Sequence, residues 1–421
     1  MALMTPTGWR NTKIISLIGT GHGMSHFYIM ALTPFFFLIK EEFGVSYAAV
    51  GFLVTILNLT GTIVQVPVGF LVDKIGGRIL LPVGLGMMGV PFLLFGFADN
   101  YWFALVLMAI AGIGSSVFHP VDYAILNAQI DERFLGRAFS LHTFTGGLGV
   151  MIAPGLMVLL ASIWDWRTAL VISGGIGIVF MFLMIANGHL LHSKPQTTDD
   201  HEKSNTQQPT GLGIGMLFKP QVLLMFMVFL LLTIMMAGFF NFSVTIFNRF
   251  NGIELSLATI LVTSYVIASN TGLLTGGVIA DKWKNHTAIA VVSLLVASAL
   301  LIFIEAVTLP YILLLLCIIT IGFTQGMIRP ARDLIVRAIV PQHSIGKVFG
   351  FLSAAMSGGH AIAPVFVGWL IDRGHHDIVF YVFAAILMFT IPFLVIAHQM
   401  AHKRGPNADI KTAADNKAAA E

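Results

Sequence analysis

Apolar runs of about twenty residues, the length that crosses a lipid hydrocarbon core, recur along this chain with short polar breaks between them. They begin near Ile14, Tyr47, Ile79, Tyr101, Ala138, Thr168, Gln221, Ser256, Ala288, Pro310, Val348 and Val379, which predicts twelve membrane-crossing helices. Period-two alternation over segments of about ten residues, the mark of an outer-membrane barrel, is absent. One polar stretch is long: HSKPQTTDDHEKSNTQQPTGLG, between the sixth and seventh runs. Its Pro, Thr, Gln and charged residues read as a flexible linker. The expected fold is all-α and integral to the membrane, twelve helices in two pseudo-symmetric six-helix bundles. The N-terminal bundle takes residues 1–190, a cytoplasmic linker 191–219, the C-terminal bundle 220–402, and a disordered cytoplasmic tail 403–421.

Composition agrees with this pattern. Hydrophobic residues make up 57% of the chain and charged residues only 10%, where a soluble domain carries about a quarter charged; mean hydropathy is +0.87. The net charge of +3 is spread over connecting loops and argues against a nucleic-acid partner. The single cysteine, Cys317, excludes an intramolecular disulfide and a cysteine-based metal site. The first apolar run is longer than a signal-peptide core and lacks a small-x-small cleavage site, so it is expected to stay in place. Lys and Arg set the orientation. Arg10, Lys13, Lys74, Arg78, Arg133, Arg137, Lys194, Lys203, Lys219, Lys282, Lys284, Lys347, Lys403 and Arg404 fall on one side of the twelve-span layout. Lys40, Arg167, Arg249 and Arg373 fall on the other. The positive-inside rule then puts both termini in the cytoplasm of a multi-pass protein of the cell inner membrane.

The halves also repeat. A shift of 210 residues lays Gly112 on Gly322, Pro120 on Pro330, Gly136 on Gly346, Gly149 on Gly359, and the IAP at 152–154 on the IAP at 362–364. GFLVDKIGGR (69–78) closes span two, and GVIADKWKNH (277–286) closes span eight. Parallel six-helix repeats of this kind are a transporter plan with the substrate site near the midplane.

GFLVDKIGGR resembles the loop two–three signature of the major facilitator superfamily, and GGLGVMIAPGL (146–156) resembles that family's Gly-Pro-rich fifth-helix motif. The resemblance implies a twelve-helix carrier that alternates access. It implies gating parts at Gly69, Asp73 and Arg78, at their weaker copy Asp281 and Lys282, and at Pro154, which kinks its helix. In the first loop, Asp73 can cap a facing helix or pair with a cation, while Gly69, Gly76 and Gly77 allow close approach and a tight turn; a positive-inside loop with turn glycines is the alternative. GIGSSVFHP (112–120) is similar to the fourth-helix segment of the fosmidomycin-resistance type of facilitator. That family follows the proline with Glu; here Val121 follows, and the acid comes one position later as Asp122, about 100° further round the helix.

Ionisable residues inside a span are costly and point into a bundle or a wet cavity. His119 and Asp122, three apart, share a face and are expected to carry protons, unless Asp122 sits at a wet helix end and pairs with Arg133 or Arg137. Their repeat mates are Arg329 and Arg332. Arg329 and Asp333 are spaced for an ion pair. That leaves Arg332 to grip an anionic substrate, to pair with Asp122 as a gate, or to sit at the cytoplasmic edge. His22 and His26, one turn apart, are expected to relay protons or to bond substrate, with satisfied interhelical histidines as the alternative. Two histidines without a third ligand do not make a metal site, so metal transport remains a minor alternative. Tyr28, Phe240, Asn241, Asn270, Gln325, His142 and His360 are expected to line the substrate cavity.

No P-loop supports an ATP-driven pump, no catalytic constellation supports an enzyme, and linker and tail are too short for a signalling domain. The expected function is secondary transport of a small organic solute, proton-coupled, leaning to export of a drug-like or anionic compound. Proton-coupled uptake of a carboxylate, phosphonate or sulfonate is the alternative. No cofactor is expected; the partners are the solute, protons and the lipid bilayer, with the chain acting as a monomer.

Overall fold

The computed structural model describes residues 6–130, 132–193, 215–283, 285–340 and 345–403, and the elements in them are all helical. Residues 194–214 of the expected linker and 404–421 of the expected tail lie outside the described residues. Among the described residues, 12 helical stretches are long and apolar enough to cross a membrane, from Trp9–Phe43 to His376–Met400. The apolar runs predict these twelve spans.

The first half folds as α1 (Pro6–Ala31), α2 (Phe36–Phe43), α3 (Tyr47–Ile75), α4 (Gly77–Phe95), α5 (Tyr101–Ser115), α6 (Phe118–Gln129), α7 (Glu132–Ile163) and α8 (Trp166–Ala186). The second half folds as α9 (Pro220–Thr245), α10 (Leu255–Lys282), α11 (His286–Ala306), α12 (Tyr311–Ile339), α13 (Ile345–Asp372) and α14 (Val379–Lys403). Their starts follow local chemistry. Ser46, Asn100, Asp165 and Asn285 each accept a hydrogen bond from the backbone N–H three residues on, satisfying a donor the helix leaves open. At Asp165 the Thr168 hydroxyl also donates, and these bonds hold the carboxyl below its ordinary value. Gly76 ends α3 at φ +83°, a conformation that strains any residue with a side chain.

Span four reads as one helix in the sequence, but it is two. Pro120 has no N–H to offer the Ser116 carbonyl, and its ring disfavours a helix running through that turn. The chain therefore closes α5 at Ser115 and restarts at Phe118, with Pro120 inside the first turn, where the missing N–H costs nothing. Pro330, the repeat mate, lies within the unbroken α12.

By packing, the described chain forms two units. The first holds α1–α8 with residues 237–267 of α9–α10 and residues 360–379 around the end of α13. In it α1 lies along α7 and α4 along α8, while α3 and α4 pack on α5. Gly149 of α7 meets the Gly23 backbone of α1 so closely that any side chain would collide, the small-residue packing that lipid-embedded helices use. The start of α3 is tied to the end of α13. Asp372 accepts hydrogen bonds from Tyr47 N at 2.7 Å and Ala48 N at 2.8 Å, and Thr55 Oγ1 donates to the Ala361 carbonyl at 2.7 Å. Nearby, Arg249 pairs with Glu41 and lies over the Phe37 ring. The second unit holds the earlier part of α9, the rest of α10, α11, α12, most of α13, and α14, with α11 lying along α12.

Candidate functional site

Three helices of the first unit bring their polar residues to one place. One turn of α1 supplies His22 and His26, the first turn of α6 supplies His119 and Asp122, and α7 supplies His142. Asp122 is wholly buried, with His22 2% and His142 1% exposed. His142 Nε2 lies 2.8 Å from Asp122 Oδ2 in a hydrogen bond. His22 Nδ1 comes within 3.4 Å of the same oxygen. The His22 and His142 rings stack with centroids 3.7 Å apart, and His22 stands edge-on to His26 at 4.7 Å and to His119 at 5.0 Å. His26 and His119 are half-buried, so the cluster grades from a sealed end at Asp122 to a reachable one.

Local sequence explains the convergence. α6 and α7 follow one another in the chain and pack on each other, and Asp122 and His142 lie 20 residues apart across that pair. Gly146, one turn beyond His142, clears the room: a Cβ there would stand 2.8 Å from His22 Nε2 and 3.1 Å from His26 Cδ2.

The sealed position of Asp122 departs from the alternative of a wet helix end. His142, expected along the substrate cavity, is instead the hydrogen-bond partner of Asp122. His360 is half-buried in α13. Tyr28 departs from expectation: it is 1% exposed, donates its hydroxyl to the Ser173 carbonyl at 2.8 Å and packs on Phe92, so it holds α1 to α8 and α4. Asn241 is 2% exposed and returns its amide to the Ala237 carbonyl of its own helix, and Phe240 packs edge-on against Tyr265. Both are buried rather than lining an open cavity.

In the second unit the expected Arg329–Asp333 pair is not formed. Arg332 binds Asp333 instead, Nε and Nη2 both 3.0 Å from Oδ1, with its guanidinium 3.7 Å from the centre of the Phe229 ring. Stacking on Phe229 turns Arg332 toward its neighbour, while Arg329 points to Ser269 Oγ at 3.3 Å and Met236 Sδ at 3.5 Å. Asp122 and Arg332 each have a partner within their own unit. Asn270 is half-buried, and Gln325 is 8% exposed with its amide nitrogen unbonded.

Of the expected gating residues, Gly76 makes the turn, and a Cβ on its neighbour Gly77 would collide with Ile125. Gly69 has no neighbouring atom within reach of an added Cβ. Arg78 is exposed beside Gly188, Asp281 and Lys282 are exposed at the end of α10, and Pro154 is buried inside α7. The side chains of Asp73, Arg133 and Arg137 lie outside the described residues.

Known proteins resemble the chain along most of its length. The chain is 22% identical to a fosmidomycin resistance protein of Escherichia coli K12 over 382 residues, 88% of each chain. It is 23% identical to multidrug resistance protein 1 of Bacillus subtilis over 82% of this chain and 85% of that one. A D-galactonate transporter of Escherichia coli O6:H1 is 25% identical, but the match takes in only 34% of either chain. The crystal structure of a bacterial homologue of the human lysosomal transporter Spinster, inward-facing and unoccupied, superposes with a TM-score of 0.71 at 15% identity, covering 93% of this chain and 96% of that one. That likeness concerns the fold. The family model described as Major Facilitator Superfamily matches residues 18–251 and 239–418, and with twelve spans built as that family builds them, the chain belongs to the Major Facilitator Superfamily of transporters.

Proposed function

We propose that the chain is a secondary carrier that moves a small organic solute across the inner membrane by alternating access. Protons drive it, and its working direction is export of a drug-like or anionic compound. The supporting observation is the sealed Asp122 with His142 hydrogen-bonded to it and His22 alongside. A carboxylate without solvent contact needs a balancing positive charge, and a proton passed along the imidazoles supplies one. His26 and His119, at the reachable end, hand that proton on. The similarity to drug-resistance proteins over most of the chain supports export.

A second reading, proton-coupled uptake of a small organic anion, draws on Arg332 and Arg329 in the second unit. Arg332 is held by a single carboxylate oxygen and an aromatic face, so it keeps donors for a carboxylate or phosphonate. Purified protein in liposomes with a pH-sensitive dye inside separates the readings. Adding the transported compound outside makes the interior alkaline under antiport and acid under symport. With Asp122→Asn, gradient-driven transport is lost while counterflow exchange partly survives. Full gradient-driven transport in that variant would remove Asp122 from coupling.

A further inference from the structure

We propose that His22, His26 and His119 form a binding site for one divalent transition-metal ion, with Asp122 behind His22 as its supporting carboxylate. One donor atom from each histidine lies within 4.8 Å of those of the other two. Tetrahedral zinc holds nitrogen ligands at about 2.0–2.1 Å, which sets them about 3.3 Å apart. Ring rotations on fixed helices can close that difference. The donors come from one turn of α1 and the first turn of α6, so the backbone spacing is set by two helices and not by a loop.

Two further observations point to a ligand. Asp122 Oδ1 is buried and makes no hydrogen bond among the described residues, although buried polar atoms are as a rule bonded, so this carboxylate holds charge that an ion on the adjoining imidazole would balance. His22 also presents Nδ1 to Asp122 Oδ2 at 3.4 Å. A carboxylate that accepts from one ring nitrogen of a histidine frees the other for a metal, and a small turn of the His22 ring would complete that bond. The alternative trio, His22, Asp122 and His142, also has donors within reach. It is a poorer seat, because its shared oxygen is already bonded to His142 and all three residues are sealed.

An all-imidazole set suits Zn²⁺, Co²⁺, Ni²⁺ or Cu²⁺ and not Mg²⁺ or Ca²⁺. Three protein ligands leave a fourth position, on the side where His26 and His119 are half-buried. Water or a donor atom of a solute fits there. One carboxylate against a divalent ion leaves the core net positive, so an anionic donor is preferred. The ion and the relayed proton compete for the same imidazole nitrogens, and metal binding, an equilibrium property measured without a gradient, is read out separately from transport.

The test is a Co²⁺ titration of the full chain, purified without a polyhistidine tag and followed by visible absorption. One equivalent should bind with the intense band of four-coordinate cobalt. His26→Ala and His119→Ala should each weaken binding at least about tenfold, and Asp122→Asn by about 10- to 100-fold, the range for supporting carboxylates. His119→Cys guards against loss of fold: it should keep the ion and add a thiolate-to-cobalt charge-transfer band. The exposed histidines His189 and His375 serve as controls, and their Ala variants should bind as the parent does. Absence of the band in monodisperse parent protein would overturn the site. So would a band that survives loss of both His26 and His119, or a binding signal abolished by the His189 and His375 changes.

Discussion

The two oxygens of Asp122 live differently: Oδ2 is hydrogen-bonded to His142 and close to His22, and Oδ1 is buried without a bond. An unmet buried acceptor costs about 1–3 kcal/mol, so this side chain is a poor choice for stability alone. Asp122→Asn should therefore keep or raise the thermal unfolding temperature in detergent while abolishing gradient-driven transport. A clear fall in that temperature would mean that the residue is kept for the fold. Gly146 makes the opposite argument. A side chain there meets His22 and His26 at once, and Gly146→Val should destabilise by about 1–3 kcal/mol, as overpacking does, and stop transport with every histidine still present. In the second unit, Arg332→Lys keeps the charge but loses the planar fork and its stacking on Phe229. If that residue grips the solute, its affinity should fall about tenfold in Arg332→Lys and further in Arg332→Ala, measured as the half-saturating concentration in liposomes.

At the scale of elements, the sequence was legible where a single period governs. The apolar runs mark all twelve spans because a membrane helix must satisfy its backbone internally and face lipid with apolar side chains. Pro120 was visible too, yet its consequence was not. Pro330 occupies the matching position in the other half without breaking its helix, so proline alone does not decide between a kink and a restart. The candidate site was half legible: His22, His26, His119 and Asp122 stand out as polar residues in apolar helices. Their convergence depends on helix pairings that one sequence does not fix, and Arg332 took Asp333 over the better-spaced Arg329 because an aromatic ring outside its helix intervened. Pro120→Ala tests the break. It should join α5 to α6, turn His119 and Asp122 about the helix axis, and cut transport, while circular dichroism shows equal or greater helix content. Unchanged transport would mean that the break does not position the site.

Across the whole molecule, two carboxylate oxygens at the end of α13 hold the first two N–H groups of α3, from 325 and 324 residues away in sequence. Hydrogen bonds to a charged group contribute about 1.5–3 kcal/mol each, and about 1.4 kcal/mol is a tenfold change in an equilibrium constant. Asp372 therefore acts as a weight on one pan of the conformational balance. In a carrier that alternates, any conformer with these bonds broken is rarer by roughly that factor for each bond. A solute that binds only the rarer conformer has its apparent affinity reduced in the same proportion, without touching Asp372. Asp372→Asn should thus shift the half-saturating concentrations on the two faces of the membrane in opposite directions, by about tenfold between them, while the solute's own contacts stay as they were. Equal shifts on both faces would place Asp372 outside that balance. On this account the affinity of the solute site is set partly by a helix cap in another element, and mutations selected for tighter or weaker transport are to be sought at the start of α3 as well as around the histidines.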